Sequence, residues 1–271
     1  MPTQPEIRSL SQAKRKIFQD LATRNGRERQ GLFLLDAPRA IEDALALGVP
    51  FRWIVASDAG APLVERWAGA GLLEGDVELL RATQAELEAM ADAVTPQGVV
   101  AIGPIPPHAA ADLPAELGSV VLVADGIQDP GNLGTLLRTL AAVGGRAAIL
   151  CRGTVDPWNP RALRGAAGAT FRLAVAAGIE PSVAADLLEE RGVPIVALTA
   201  GAPSLFEAKL PEGPLALAVG NEGAGLSGEL EERAAMSTGI PMAPGVESLS
   251  AAVAGSVAMI ALAHRLRPGA R

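Results

Sequence analysis

Three segments hold the residues best suited to chemistry. They are Asp129-Pro130-Gly131-Asn132-Leu133-Gly134 with Arg138, Gly220-Asn221-Glu222-Gly223-Ala224-Gly225-Leu226-Ser227, and Ile240-Pro241-Met242 followed by Ser248-Leu249-Ser250. Each begins where an apolar strand-like run stops, so the three loops should gather at one edge of a sheet, the edge where α/β proteins bind ligands. Asn132 is placed to cap a helix whose apolar stripe is Leu133, Leu137 and Leu140. Arg138 lies off that stripe, free to point at the loop edge or at solvent. Glu222, an acid inside a glycine-rich turn at a strand end, is a site candidate. The glycines around it let backbone approach a flat neutral ligand closely. Ser227 looks like a helix N-cap, and Ser248 or Ser250 starts the last helix.

Other chemistries fit less well. Gly223 to Gly228 spells G-x-G-x-x-G, but Gly220-Asn221-Glu222 intervenes between strand and motif, and only about 50 residues follow, which is out of register for a dinucleotide fingerprint. Cys151 is the only cysteine, and His108 and His264 are the only histidines, neither with a second histidine or the cysteine at helical spacing. This sets aside an intrachain disulfide and leaves no metal site to expect; both histidines read as solvated side chains rather than members of a Ser-His-Asp triad. Residues 1–7 lack an apolar core of the kind that directs export, and no 18-residue apolar stretch is uninterrupted, so neither export nor a membrane span is expected.

The elements that must position these loops alternate strand and helix. Strands are expected at 32–35, 51–56, 77–80 and 98–102, with helices at 38–47 and 62–70 and one opened by Thr83 with Glu86 in a capping box. A second set of strands falls at 119–124, 146–150, 172–176, 194–197 and 215–219, with a short one at 239–242, between helices at 134–143, 182–191, 228–235 and 250–265. Continuously apolar strands separated by helices imply an α/β parallel sheet covered on both faces. The division expected is a basic helical arm over 1–30, a small α/β domain over 31–103, a Pro/Ala-rich linker over 104–118, and a larger domain over 119–271. The chain carries a formal charge of minus 7, yet residues 1–30 hold seven cations against three acids, plus 4, leaving minus 11 on the rest. Such an arm is either a polyanion contact or a solvated helix. With 3% aromatic residues and no Tyr, a base-stacking platform is not expected. The small residues of the last helix, Ala251 to Ala263, suit a dimer face or ordinary core packing equally.

In this order the segments resemble the three motifs of the SPOUT superfamily of RNA methyltransferases, TrmH/SpoU type, over nearly the whole chain. Phe33-Leu34-Leu35-Asp36 with Pro38-Arg39, and Thr95-Pro96-Gln97-Gly98-Val99-Val100, are similar to the small ribosomal-protein-like RNA-binding domain that many members carry. The resemblance implies a parallel-sheet domain with a deep trefoil knot, a rare exception to unknotted topology. It also implies a cytoplasmic homodimer joined through the C-terminal domain, which methylates the ribose 2'-oxygen of structured RNA, ribosomal RNA ahead of transfer RNA. S-adenosyl-L-methionine would lie against Thr199, Ala200, Gly201, Gly220, Ile240, Met242 and Leu249. The family assigns the reaction to the motif-one arginine, here Arg138. An arginine is effectively always protonated, so Arg138 is expected to bind the neighbouring phosphate and perturb the hydroxyl, with Asn132, Glu222, Ser248 and Ser250 positioning ribose and loops.

Two departures stand out. Where the family usually has Ser-Leu-Asn, this chain has Ser248-Leu249-Ser250, replacing an amide by a shorter hydroxyl. The alternative this raises is an RNA- and cofactor-binding protein with reduced or no methyl transfer. Asp36-Ala37, where members tend to have Glu-Gly, is a milder change.

Overall fold

The structure is a computed structural model that describes residues 7–73, 75–90, 97–246 and 248–266. Two compact units emerge: Met1–Pro106 with Trp158–Phe171, and Pro107–Pro157 with Arg172–Arg271. Thr95, Pro96 and the first six residues of the expected arm lie outside the described residues.

The first unit is built on strands β1 (Ile7–Ser9), β2 (Leu32–Leu35), β3 (Trp53–Ala56), β4 (Glu78–Arg81) and β5 (Val99–Pro104), in the sheet order β1-β4-β3-β5-β2. β1, β4 and β3 run parallel, while β5 is antiparallel to both β3 and β2. Successive side chains on a strand face opposite ways, and here both faces are apolar. Phe33, Leu35, Ile54 and Leu79 enter one core, and Leu32, Leu34, Val55 and Leu80 the other. Helices α3 (Pro38–Ala46) and α4 (Ala61–Gly69) cover the first core through Ile41 and Trp67; α1 (Gln12–Asp20) and α5 (Gln84–Met90) cover the second through Phe18 and Leu87. The capping box forms as expected: the Thr83 N–H donates to Glu86 Oε2 at 2.7 Å, and the Glu86 N–H donates to Thr83 Oγ1 at 3.2 Å.

The segment over residues 7–30 is no free arm. β1 pairs with β4, and Phe18 and Leu21 are fully buried beside the sheet. Burying such side chains contributes roughly 1.5–3 kcal/mol each, against about 0–1 kcal/mol for an exposed ion pair, so apolar burial docks α1. The cations are largely engaged. Lys14 pairs with Glu78, Arg15 with Glu86, Arg24 with Glu28 in α2 (Arg24–Gln30), and Arg29 with Asp20. Arg27 is buried and donates to the carbonyl oxygens of Leu21 and Ala22.

Glu78 also accepts from the Trp53 indole N–H at 3.0 Å, and its hydrogen bond from Lys14 holds its carboxyl below the usual carboxylate value. A depressed folded pKa means a contribution that is complete above the ordinary value of 4.5 and is lost as pH falls through the lower folded value. The Trp53 indole proton resonance should therefore titrate with a midpoint below 4.5. A midpoint at or above that value would show that the Lys14–Glu78–Trp53 cluster does not form in solution.

Residues 158–171, which the sequence pattern did not assign to the first unit, complete its core. Trp158 stacks on Phe33 with ring centroids 5.8 Å apart, and Leu163 of α7 (Pro160–Ala166) is buried beside them. Arg164 reaches the buried Asp36 carboxylate at 2.5 Å. Asn159-Pro160, an N-cap followed by proline at the first helical position, was the available signal for α7.

The second unit is an all-parallel sheet in the order β11-β9-β10-β6-β7-β8, from β6 (Val120–Ala124), β7 (Ala147–Cys151), β8 (Ala174–Ile179), β9 (Ile195–Leu198), β10 (Leu215–Val219) and β11 (Met236–Thr238). The fifth strand of this sheet in sequence, β10, lies beside the first, β6, with the fourth outside it; a dinucleotide-binding fold places the fourth strand beside the first. The last strand is earlier than the expected 239–242. Pro241 has no N–H for a ladder, and Gly239 instead donates to the Pro203 carbonyl and accepts from the Leu205 N–H.

Helices α8 (Pro181–Glu190) and α9 (Gly228–Glu232) cover one face through Leu188 and Leu230. Leu113 and Leu117 join that core, the His108 carbonyl accepts from the Ala177 N–H, and Arg191 donates to the Pro114 carbonyl. The expected linker is therefore packed into the second unit from residue 107 onward. On the other face α6 (Pro130–Ala142) packs against α10 (Ala251–Leu266). A Cβ on Gly255 would lie 2.5 Å from Leu136 Cδ2, so at this point the small residues of α10 serve helix packing.

Candidate active site

The C-terminal ends of β9 and β10 and the segment after β11 enclose a cavity of about 670 Å³. Its walls include all seven residues expected around a cofactor: Thr199, Ala200, Gly201, Gly220, Ile240, Met242 and Leu249. Glu222 and Ser248 also line it, whereas Asn132, Arg138 and Ser250 do not. The charged groups on the described wall are two acids, Glu222 and Glu231. Such a wall suits a neutral or cationic ligand and repels a pyrophosphate.

Backbone geometry sets this wall. Gly220 leaves β10 so close to the returning loop that an added Cβ would sit 2.4 Å from the carbonyl carbon of Gly225, and Gly225 itself holds φ +75°. Asn221 fixes the turn: its Oδ1 accepts from the Gly223 and Ala224 N–H groups, both at 2.9 Å, and its Nδ2 donates to the Gly126 carbonyl at 3.0 Å. Asp125 adds a second tie, buried at 6% exposure and accepting from the Ser227 N–H at 2.6 Å. These two residues join the loop after β6 to the loop after β10, and neither was singled out as a site residue from sequence. The signal was present in Asp125-Gly126, an acid directly after an apolar strand.

The polar candidates have distinct places. Asp129, not Asn132, caps α6, accepting from the Asn132 N–H at 2.8 Å. Asn132, one turn in, is thereby free to donate from Nδ2 to Glu222 Oε1 at 2.6 Å, linking motif one to motif two. Arg138 is exposed on α6, with no hydrogen bond or ion pair of its guanidinium among the described residues. Ser227 occupies the N-cap position of α9, but its hydroxyl makes no capping bond; the tie is through its N–H. Ser250 is the residue that starts α10, accepting from the Val253 N–H at 3.4 Å. Cys151 is buried, and burial, followed by the charges of Asp125 and Glu180, pushes its thiol up to about 12, which leaves it inert at neutral pH. Among the described residues no cluster of His, Cys, Asp and Glu is arranged to hold a metal ion, and no helix is long and apolar enough to cross a membrane.

Residues 119–260, which contain the whole cavity, match the model of the SpoU rRNA methylase family. The chain belongs to this family. Residues 13–101 match the MRM3-like substrate binding domain, so the SpoU-family segment is preceded by a domain of a second described kind. Among relatives of this SpoU-family member, the 23S rRNA (guanosine(2553)-2'-O)-methyltransferase RlmP of Bacillus subtilis is 32% identical over 256 residues, covering 93% of this chain and 96% of the relative. An AdoMet-bound rRNA methyltransferase from Sinorhizobium meliloti superposes with a TM-score of 0.83 at 26% identity, covering 97% of this chain and 98% of that one. The SpoU methyltransferase AviRb from Streptomyces viridochromogenes, in complex with AdoMet, gives 0.83 at 25% identity over 94% and 98%.

Proposed function

We propose that the chain transfers a methyl group from S-adenosylmethionine to a ribose 2'-oxygen of ribosomal RNA in the cytoplasm. The observation that carries this reading is the cavity wall: small residues and backbone at three strand ends, with only acids for charge among the described residues. Such a wall accepts a cofactor bearing a sulfonium and an ammonium group and disfavours a dinucleotide. When bound, the cofactor supplies an electrophilic methyl group. Gly220, Gly225 and the turn held by Asn221 provide close backbone approach, and Asn132 fixes Glu222 at the cavity rim.

The 2'-hydroxyl must lose its proton as it attacks, and a guanidinium beside it favours the developing alkoxide. Arg138 is assigned that task, holding the adjacent phosphate. It does not line the cavity of its own chain, which favours a site completed by a second copy. The face of α10 supports such a homodimer: Val253 and Ile260, seven residues apart and thus on one side, are 48% and 57% exposed. The trefoil knot is supported by the loop after β9. Gly239 bonds to Pro203 and Leu205, while Arg265 at the end of α10 donates to the Leu205 and Ala208 carbonyls, so later chain holds this loop at two places.

Loss of transfer through Ser250 is the weaker reading. The Ser250 hydroxyl accepts from the first turn of α10, and Ser and Asn serve about equally in that position. The decisive assay is transfer of labelled methyl from S-adenosylmethionine to ribosomal RNA, followed by alkaline hydrolysis. Label in an alkali-resistant dinucleotide is the expected result, because a 2'-O-methyl blocks cleavage at that nucleotide. Label confined to mononucleotides would sink the 2'-oxygen assignment.

A further inference from the structure

The cations of the first unit are not equally available to a ligand. Those of α1 and α2 are largely spent on Glu78, Glu86, Glu28 and Asp20, or buried. Arg66 pairs with Glu42, and Arg81 with Asp58. Arg39 on α3 and Arg161 on α7 differ: both are exposed, and neither guanidinium makes an ion pair or hydrogen bond among the described residues.

These two arginines flank one ion pair. Arg164 of α7 holds Asp36, just before α3, at 2.5 Å, and four residues further along, a Cβ on Gly168 would lie 3.2 Å from Asp43 Cβ. Arg39 follows Asp36 by three residues and Arg161 precedes Arg164 by three, so the ion pair lies between them. Of the acids around them, Asp36 is paired with Arg164 and Glu42 with Arg66. No side chain caps the start of α3, where Ala37 stands at the N-cap position, so its terminal N–H groups add to the positive field.

We propose that Arg39 and Arg161 form the phosphate-contacting edge of the first unit and that its ligand is an RNA backbone. This rests on the RNA methyltransferase reading and goes beyond it, because it moves the contact from the basic residues 8–29 to a surface completed by residues 158–171. A guanidinium offers paired donors that match a phosphate. In a chain of net charge minus 7, a polyanion must be met at a locally positive surface.

The test is filter binding of full-length protein to a 23S rRNA transcript from 50 to 200 mM KCl. The double variant Arg39→Ala/Arg161→Ala is expected to bind about tenfold more weakly at 100 mM, with the slope of log affinity against log salt shallower by about 1–2. Arg39→Lys/Arg161→Lys should keep most of the slope, since lysine keeps the point charge. Arg24→Ala/Arg29→Ala should leave it unchanged. An unaltered slope in the alanine pair, with wild-type binding intact, overturns this edge. Equal affinity of the wild type for polyglutamate overturns it too, in favour of an acidic protein partner. The methyltransferase reading is judged separately, by transfer of label in the wild type, and calorimetry with S-adenosylmethionine should show unchanged cofactor affinity in the alanine pair.

Discussion

Arg138→Ala will lower the rate of methyl transfer about a hundred- to a thousandfold, the range found when one preorganised donor to a developing oxyanion is removed, while S-adenosylmethionine affinity stays within about twofold, a change of under 0.5 kcal/mol. Both parts follow from position. The side chain is exposed on α6 and engaged with nothing among the described residues, so its removal leaves no buried group unsatisfied. It is absent from the wall of the cavity, so the cofactor should not sense it. The effect should fall on kcat, since charge develops on the ribose oxygen only as the reaction proceeds. Rapid-quench measurement of a single turnover, with calorimetry for the cofactor, separates these quantities. A parallel loss of cofactor affinity would show that Arg138 supports the fold of the cavity rather than the reaction.

Most strands of the two sheets were legible in the sequence because they are short apolar runs cut by glycine and proline, and helices such as α3 and α5 carry clear start signals; β1, Ile-Arg-Ser, has no such run. What escaped was set by contacts distant in sequence. Trp158 and Leu163 belong to the core around Phe33, more than 120 residues away in sequence, and no local period announces such a partner. The basic composition of residues 1–30 suggested a free arm, but composition does not reveal that Glu78 and Glu86 lie opposite Lys14 and Arg15. Within the site, the glycine-rich loops could be read because their residue types are unusual. The ties that shape them, Asp125 to Ser227 and Asn221 to Gly126, are ordinary residues made specific only by the sheet order that brings β6 beside β10. The sequence places Asn132 where a cap could stand; in the fold Asp129, three residues earlier, caps α6 and leaves the Asn132 amide for Glu222.

Gly220→Ala will abolish measurable cofactor binding at concentrations that saturate the wild type, whereas Gly223→Ala will be nearly neutral. At Gly220 the added methyl would meet the Gly225 carbonyl carbon and oxygen at 2.4 Å, and those are backbone atoms that no rotamer change can move aside. Relief requires the loop over 221–226 to shift, which costs about 1–3 kcal/mol as overpacking and displaces the wall that the cofactor touches. At Gly223 the nearest atom is Asn221 Oδ1 at 3.5 Å, an ordinary contact. Equal cofactor affinities in the two variants would mean that the turn is more plastic than its hydrogen bonds imply. The same variant locates Arg138. If the chains pair as proposed, coexpressed Gly220→Ala and Arg138→Ala chains give mixed dimers in which one cavity is intact and the only surviving Arg138 belongs to the other copy. If that arginine works across the interface, the mixture recovers about a quarter of wild-type activity, since half of the dimers are mixed and each has one complete site. If Arg138 serves its own cavity, neither site in a mixed dimer is complete, and the mixture stays as inactive as its parents.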